Sequence, residues 1–313
     1  MPLRGDPVAP IKIEQLSKIY RKGLRQQKVV AVNHLSLSVA DGEIFGFIGP
    51  NGAGKSTTIK ILSDLIRPTM GKAAIMGIEV QKPEARRQIG YLPENPSYYA
   101  YLSAWELLRF YGDIHGINEK VFSERADKLL EMLDLTDAAH RPLRTYSKGM
   151  VQRAGIAAAL IHDPVVLIFD EPMSGLDPIG RKLVGDLMVR LRQQGKTIFF
   201  STHILADVET ICDRVGVIVE GNLVYEGSME RVRSSAIRYY DVVFGADASK
   251  VNSISWPSQA MPRKQADLFI LEVKPDDFVP AIKLILDHGF ELARIEPRRQ
   301  RLEELFVTLA ANR

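Results

Sequence analysis

The stretch of this 313-residue chain best suited to chemistry is the turn Gly49-Pro50-Asn51-Gly52-Ala53-Gly54-Lys55-Ser56. It fits the phosphate-loop pattern of a glycine, four residues, then Gly-Lys-Ser/Thr. Glycines let a backbone wrap a β-phosphate with its N–H groups, in a hollow that a Cβ would obstruct. The Lys55 amine suits the β- and γ-phosphates, the Ser56 hydroxyl suits Mg²⁺, and Thr57 can reach the α-phosphate. A second candidate is Asp170-Glu171, two carboxylates closing the apolar run Val165–Phe169. Asp170 is suited to hold Mg²⁺ and Glu171 to orient and polarise an attacking water. Alone, such a pair most often reads as a solvated turn, and it is the phosphate loop that favours the chemical reading. His203 follows the run Thr197–Phe200. Spacing alone leaves it open between an ordinary surface or capping residue and a γ-phosphate contact.

Elements of definite type must carry these groups. Ile44–Ile48 reads as a strand running into the glycine-rich turn, and Ser56–Leu65 as the helix leaving it, its positive end toward bound phosphate. Val165–Phe169, Thr197–Phe200 and Arg214–Val219 are bare apolar runs of strand length separated by helical stretches such as Phe122–Leu133. That pattern predicts an α/β fold with a largely parallel sheet covered on both faces, whose ligands bind at the carboxyl ends of its strands. Lys12–Val39 reads as extended, with an antiparallel β portion. After Gly227–Ser235 the character changes. Strands at Arg238–Phe244, Leu268–Val273 and Phe290–Glu296 alternate with helices at Asp276–Asp287 and Leu302–Ala311, forming a small α+β appendage. Asp276 and Asp277 open the first helix and Gly289 closes it. Gly245–Arg263 reads as an irregular loop.

Composition narrows the function classes. Hydrophobic residues at 46% and charged residues at 25% describe an ordinary globular protein. With 41 basic and 38 acidic residues the charge is +3, so nothing demands a nucleic-acid partner. The single cysteine, Cys212, excludes a disulfide framework and a cysteine-rich zinc module. The opening residues have no apolar signal region, and no apolar run approaches the roughly 20 residues of a spanning helix. If the chain works at a membrane, it is expected there as a peripheral subunit.

Further residues carry a family resemblance. Tyr146-Ser147-Lys148-Gly149-Met150-Val151-Gln152-Arg153 resembles the L-S-G-G-Q signature motif of ABC ATPases, ahead of a short helix at Ala154–His162. The order is also theirs: phosphate loop, signature, acidic strand end with Glu171, Ser174-Gly175-Leu176-Asp177 as the D-loop, and His203 as the switch histidine. The resemblance covers Ile11 to Gly227. It implies an ABC-type P-loop core over residues 11–227 with a helical subdomain at about 96–160, followed by an accessory domain at 236–313. It also implies Tyr20 stacking on adenine, and two chains head to tail with ATP between them. Ser147 and Gly149 would then reach the γ-phosphate of the partner site, and Asp177 of the D-loop would count among the cofactor-binding residues. On its own residues, Ser147 reads as a plain helix N-cap.

Two departures stand out. Glu94 occupies the position of the family's Q-loop glutamine, a carboxylate that can ligate Mg²⁺ but adds negative charge. Lys148 and Met150 replace a signature glycine and the terminal glutamine; Lys148 either adds a cation near phosphate or extends into water.

The layout, with its ending Arg301–Phe306, resembles ATPase subunits of bacterial ABC-2-type exporters, although Leu302, Leu305, Phe306 and Leu309 also fit the packed face of a terminal helix. The resemblance therefore implies ATP and Mg²⁺ as cofactors, a separate integral membrane permease, and a second ATP-binding subunit forming a homodimer. It places the chain peripherally on the cytoplasmic face of a bacterial membrane. Tyr98, Tyr99 and Tyr101 are either a docking surface for the permease or packing of the subdomain. The rival reading is a soluble ABC ATPase, for example in Fe–S assembly, which lacks this C-terminal appendage.

Overall fold

Buried apolar strands separated by helices fold into two compact units, Met1–Met229 and Glu230–Arg313, in the computed structural model, which describes residues 8–22, 27–230, 237–257 and 261–299. The first unit begins β1 (Ile11–Lys22), β2 (Gln27–Val39), β3 (Ile44–Ile48), α1 (Lys55–Leu62), β4 (Met70–Ile75), β5 (Ile78–Glu79), α2 (Pro83–Arg86) and β6 (Ile89–Leu92). Three helices follow, α3 (Ala104–Ile114), α4 (Glu119–Met132) and α5 (Lys148–Leu160). The unit closes with β7 (Val166–Asp170), α6 (Pro178–Gln193), β8 (Thr197–Thr202), α7 (Leu205–Ile211), β9 (Arg214–Val219) and β10 (Asn222–Ser228).

Two sheets organise this unit. The antiparallel one runs β2-β1-β4-β5, from the extended segment the sequence placed at Lys12–Val39. The other runs β10-β9-β3-β8-β7-β6, parallel except for β10. Every residue of β3, β7 and β8 is buried, which is why these strands read as unbroken apolar runs rather than alternating ones. Phe45 and Phe199 stack across the β3–β8 ladder with ring centroids 5.7 Å apart, and Phe47 tilts against Phe199 at 5.3 Å.

The helical segment starts on strong local signals. Ser103 and Glu106 make a reciprocal capping box at the start of α3, and Asn118 caps α4. Trp105 meets Phe122 edge-on at 5.3 Å, tying α3 to α4. The signature-bearing helix α5 begins at Lys148, earlier than the Ala154 start expected from sequence, because the Ser147 hydroxyl accepts the Met150 N–H and starts a turn sooner. In the other direction, α1 ends at Leu62 instead of Leu65, since Asp64 takes a left-handed φ of 53°.

The second unit contains β11 (Ile237–Gly245), α8 (Ala248–Val251), β12 (Arg263–Gln265), β13 (Leu268–Val273), α9 (Pro275–Asp287) and β14 (Glu291–Arg299). Its antiparallel sheet runs β12-β13-β11-β14. Phe244 lies at its core, stacked on Phe290 at 5.6 Å and near Trp256 at 5.5 Å. The expectation of an irregular loop over Gly245–Arg263 needs correcting. That stretch forms α8 and buries Val251 and Trp256, whose indole donates to the Val251 carbonyl. The helix expected at Leu302–Ala311 lies outside the described residues.

Two features of the first unit generate tests. Gly90 lets β6 approach α5 closely: a Cβ there would sit 2.3 Å from the Ala159 carbonyl oxygen and 2.8 Å from Pro164 and Leu167 side-chain carbons. Gly90→Ala is expected to cost about 1–3 kcal/mol, read as a lower denaturation midpoint. The His162 ring stacks on His115 at 3.8 Å and donates from Nε2 to the Ile89 carbonyl. Burial first, then the neighbouring His115, lowers its pKa to about 4. An unfolded histidine, near 6.5, therefore takes up its proton first as the pH falls. This contribution is complete above about pH 6.5 and is lost as the pH falls toward 4. The Tm of His162→Phe should accordingly fall less steeply than that of the parent across this window.

Candidate active site

Backbone crowding shapes the phosphate loop. A Cβ on Gly49 would lie 2.3 Å from the Ile218 carbonyl oxygen, and one on Gly54 would lie 2.3 Å from that of Ala31. Gly54 also holds φ at 112°, outside the range of L side chains. The turn between them is closed by the Ala53 N–H donating to the Pro50 carbonyl at 3.2 Å. The loop faces a cavity of about 350 Å³ lined by Asn51, Gly52, Gly54, Lys55, Ser56 and Thr57, with Ala31, Glu94 and Glu171 completing the wall. The Lys55 ammonium sits in the hollow, donating to the Gly49 carbonyl at 2.7 Å and that of Pro50 at 3.2 Å. It lies 3.6 Å from Glu171 Oε1.

The acidic strand end joins this loop. Asp170 Oδ1 accepts from the Ser56 hydroxyl at 3.2 Å and from the Ser201 hydroxyl at 2.6 Å. Ser56, Asp170 and the nearby Glu94 are hard oxygen donors of the kind a magnesium ion takes. Asp170 also makes itself felt at Tyr91, whose hydroxyl is pushed up to about 12 mainly by burial and secondarily by this carboxylate. Glu171 is 6% exposed and has a left-handed φ of 52°, a conformation costing roughly 1–2 kcal/mol in an L residue. Its carboxylate faces His203 Nδ1, at 3.1 Å from Oε1 and 3.0 Å from Oε2. Its N–H donates to the Ser201 hydroxyl at 3.0 Å, and its carbonyl accepts from Gln152 Nε2 at 3.4 Å. Hydrogen bonds worth about 1 kcal/mol net each are enough to offset that strain. Asp207 is a further carboxylate in this neighbourhood, raised above its ordinary pKa mainly by burial and also by Glu171.

Lys55, Ser56, Thr57, Glu94, Asp170, Glu171 and His203 are thus brought together. Tyr20, Ser147, Gly149 and Asp177 neither line the cavity nor bond to the residues gathered there. Tyr20 is a half-exposed residue of β1 with the Lys18 ammonium 5.2 Å from its ring centroid. Asp177 caps α6, accepting from the Gly180 N–H at 2.8 Å. Ser147 caps α5, as its residue type alone suggested, and Gly149 lies against Leu176. The Lys148 alkyl chain runs along Gly175, where a Cβ would meet it at 2.9 Å. Sequence reasoning assigned no role to Gln152 or Ser201, although a polar residue closing an all-apolar strand was a usable signal for Ser201.

The arrangement is that of a glycine-shaped loop holding a lysine, a buried carboxylate between that lysine and a histidine, and a metal-suited oxygen pair. Comparison with known proteins agrees. The ABC transporter family model matches residues 32–174. An uncharacterized ABC transporter ATP-binding protein of Synechocystis sp. is 43% identical over 79% of this chain and 72% of its own length. The bacitracin transport ATP-binding protein BcrA of Bacillus licheniformis is 36% identical over 96% of both chains. A solved dimeric structure of the ATP-binding cassette MJ0796, in a post-hydrolysis state bound to ADP and Pi, superposes with a TM-score of 0.65 at 26% identity. That match covers 70% of this chain and 98% of the other. A site built for nucleotide phosphates, on a fold shared with these cassettes, makes the chain a member of the ABC transporter ATP-binding family: an ATP-binding, ATP-hydrolysing subunit of an ABC transporter.

Proposed function

We propose that this subunit closes head to tail on ATP with a second copy of itself and drives export through a separate integral membrane permease. The observation that carries the reading is that Lys55, Ser56 and Glu171 line one cavity, with Asp170 bonded to Ser56 and His203 to Glu171 directly behind them. In this mechanism Lys55 exchanges its carbonyl partners for the β- and γ-phosphates. The free peptide N–H groups of the loop wrap the phosphate chain, and Tyr20 stacks on the adenine. Glu171 orients the attacking water and His203 holds the carboxylate while reaching toward the γ-phosphate. Magnesium, held by Ser56, Asp170 and Glu94, would neutralise charge developing on the phosphates.

The second chain supplies what the cavity lacks. The hydroxyl of Ser147 and the backbone at Gly149 stand at the N-terminus of the 13-residue helix α5, which favours an anion. Neither lines its own chain's cavity, consistent with donation to a nucleotide held by the partner, with Asp177 at the seam. For the permease, the three tyrosines divide. Tyr98 packs against Gly155 of α5, and burial raises its hydroxyl pKa. Tyr99 and Tyr101 are 63% and 70% exposed with rings 5.6 Å apart, a surface suited to a cytoplasmic helix of the permease. No helix of the described residues is long and apolar enough to cross a membrane. The same reading puts the subunit peripherally on the cytoplasmic face, beside its permease. Kinship with a bacitracin transport subunit supports the transport part of this reading.

Two variants test the reading. Lys55→Ala removes the phosphate cation and should lower ATPase kcat/KM by about 100-fold or more; turnover at the parent rate would refute the assignment. Glu171→Gln should lose about 10²–10⁴-fold in turnover while still binding ATP, and should run as a dimer on a sizing column with Mg-ATP. The same variant, tagged and captured from gently solubilised membranes with Mg-ATP, should bring down a stoichiometric multi-spanning protein. Capture of soluble proteins alone would overturn the transport reading in favour of a soluble ATPase.

A further inference from the structure

The peptide of Glu171 is gripped from two sides by side chains that touch neither the Glu171 carboxylate nor the loop cavity. On one side is Ser201, fully buried in β8 and level with Asp170 in the parallel ladder. Its hydroxyl donates to Asp170 Oδ1 at 2.6 Å and accepts from the Glu171 N–H at 3.0 Å, so both its roles are filled at once. On the other side is Gln152, 1% exposed on α5. Its Nε2 donates to the Pro172 carbonyl at 3.2 Å and to the Glu171 carbonyl at 3.4 Å. Both partners are carbonyls, so only the NH₂ end of the amide can face them, and its two hydrogens serve both.

We propose that Gln152 is a positioning residue for Glu171. With Ser201 on the opposite side, it holds the peptide in the left-handed conformation from which the carboxylate reaches His203. The inference rests on the reading of Glu171 as the group that orients water. Backbone bonds also hold this peptide, from the Glu171 N–H to the Ser201 carbonyl at 3.2 Å and from the Ser174 N–H to the Glu171 carbonyl at 3.0 Å, so removing the Gln152 amide loosens the disfavoured conformation without abolishing it. A shift of the carboxylate by about 1 Å suffices for a 100-fold loss of rate. The ATP-contacting loop stays as it is, since Gln152 and Ser201 do not line it. Gln152 lies on the same helix as Ser147 and Gly149. The element that would engage the partner's nucleotide is therefore the one that also holds this chain's Glu171.

Gln152→Met keeps the side chain's length and removes its donor. In the full chain it should lower ATPase kcat by about 10- to 100-fold, with KM and equilibrium ATP binding within about twofold of the parent. A merely structural role is separated by a double-variant cycle. If Gln152 acts only through Glu171, then adding Gln152→Met to Glu171→Gln lowers the residual rate no further. Parent-level kcat in Gln152→Met, or a loss of the same size in both backgrounds, would overturn the proposal. Gln152→Leu, which also lacks the donor, is read by the same cycle and decides the matter where Gln152→Met does not fold. A Glu171→Gln variant with full turnover would instead remove the underlying assignment, a failure recognisable before either positioning variant is made.

Discussion

A parallel ladder three strands wide fixes where chemistry can occur in this protein. The strands β3, β8 and β7 lie side by side in register, so that Ile48 pairs with Thr202 and Asp170 with Ser201. Their carboxyl ends are therefore level. Gly49, Glu171 and His203, the next residue or nearly so after each strand, emerge within reach of one another although more than 120 positions separate the first two. The ladder is rigid because all three strands are buried on both faces. Its cost in unpaired polar groups is small, since the backbone groups pair along it. Each catalytic distance proposed above inherits its precision from that ladder.

The buried charges at the ladder's end form a connected set. The Lys55 ammonium has two carbonyl acceptors and a carboxylate nearby, and Glu171 lies between Lys55 and His203. Burying such ions is expensive unless they are paired and hydrogen-bonded. In this chain the pairing partners are the same groups the proposed reaction uses. Nucleotide phosphates arriving at the loop would replace the acceptors of Lys55 like for like, anionic oxygens for carbonyls and carboxylate. The exchange keeps the ammonium solvated throughout, and it leaves Glu171 held chiefly by His203.

Around this centre the protein divides its labour by burial. Gly90, Gly155 and Tyr98 bring α5 close to the sheet and to the segment before α3, so the helix that bears Ser147 is anchored along its length. Its exposed N-terminus and the exposed Tyr99 and Tyr101 are left as surfaces. The likeness to a dimeric, product-bound cassette covers 70% of this chain, while the match to the bacitracin transport subunit covers 96% of it.

The sequence alone determined what is local. The phosphate loop was legible because only glycines tolerate its backbone approaches, and the parallel strands because burial on both faces demands unbroken apolar runs. The family followed from motifs in a fixed order. Helix boundaries were less legible: Ser147 marked a cap for α5 but not how far the helix runs from it, and α1 stops at Leu62 because Asp64 turns left-handed. Burial of Trp256 and Val251 could not be read from a segment rich in serine, proline and asparagine, where packing against Phe244 overrides composition. The grip on Glu171 was decided only by tertiary structure. Gln152 and Ser201 are 19 and 30 positions away from it. Only strand pairing and helix packing bring such distant residues to one peptide, because a hydrogen bond acts over about 3 Å of space and carries no trace in local sequence pattern.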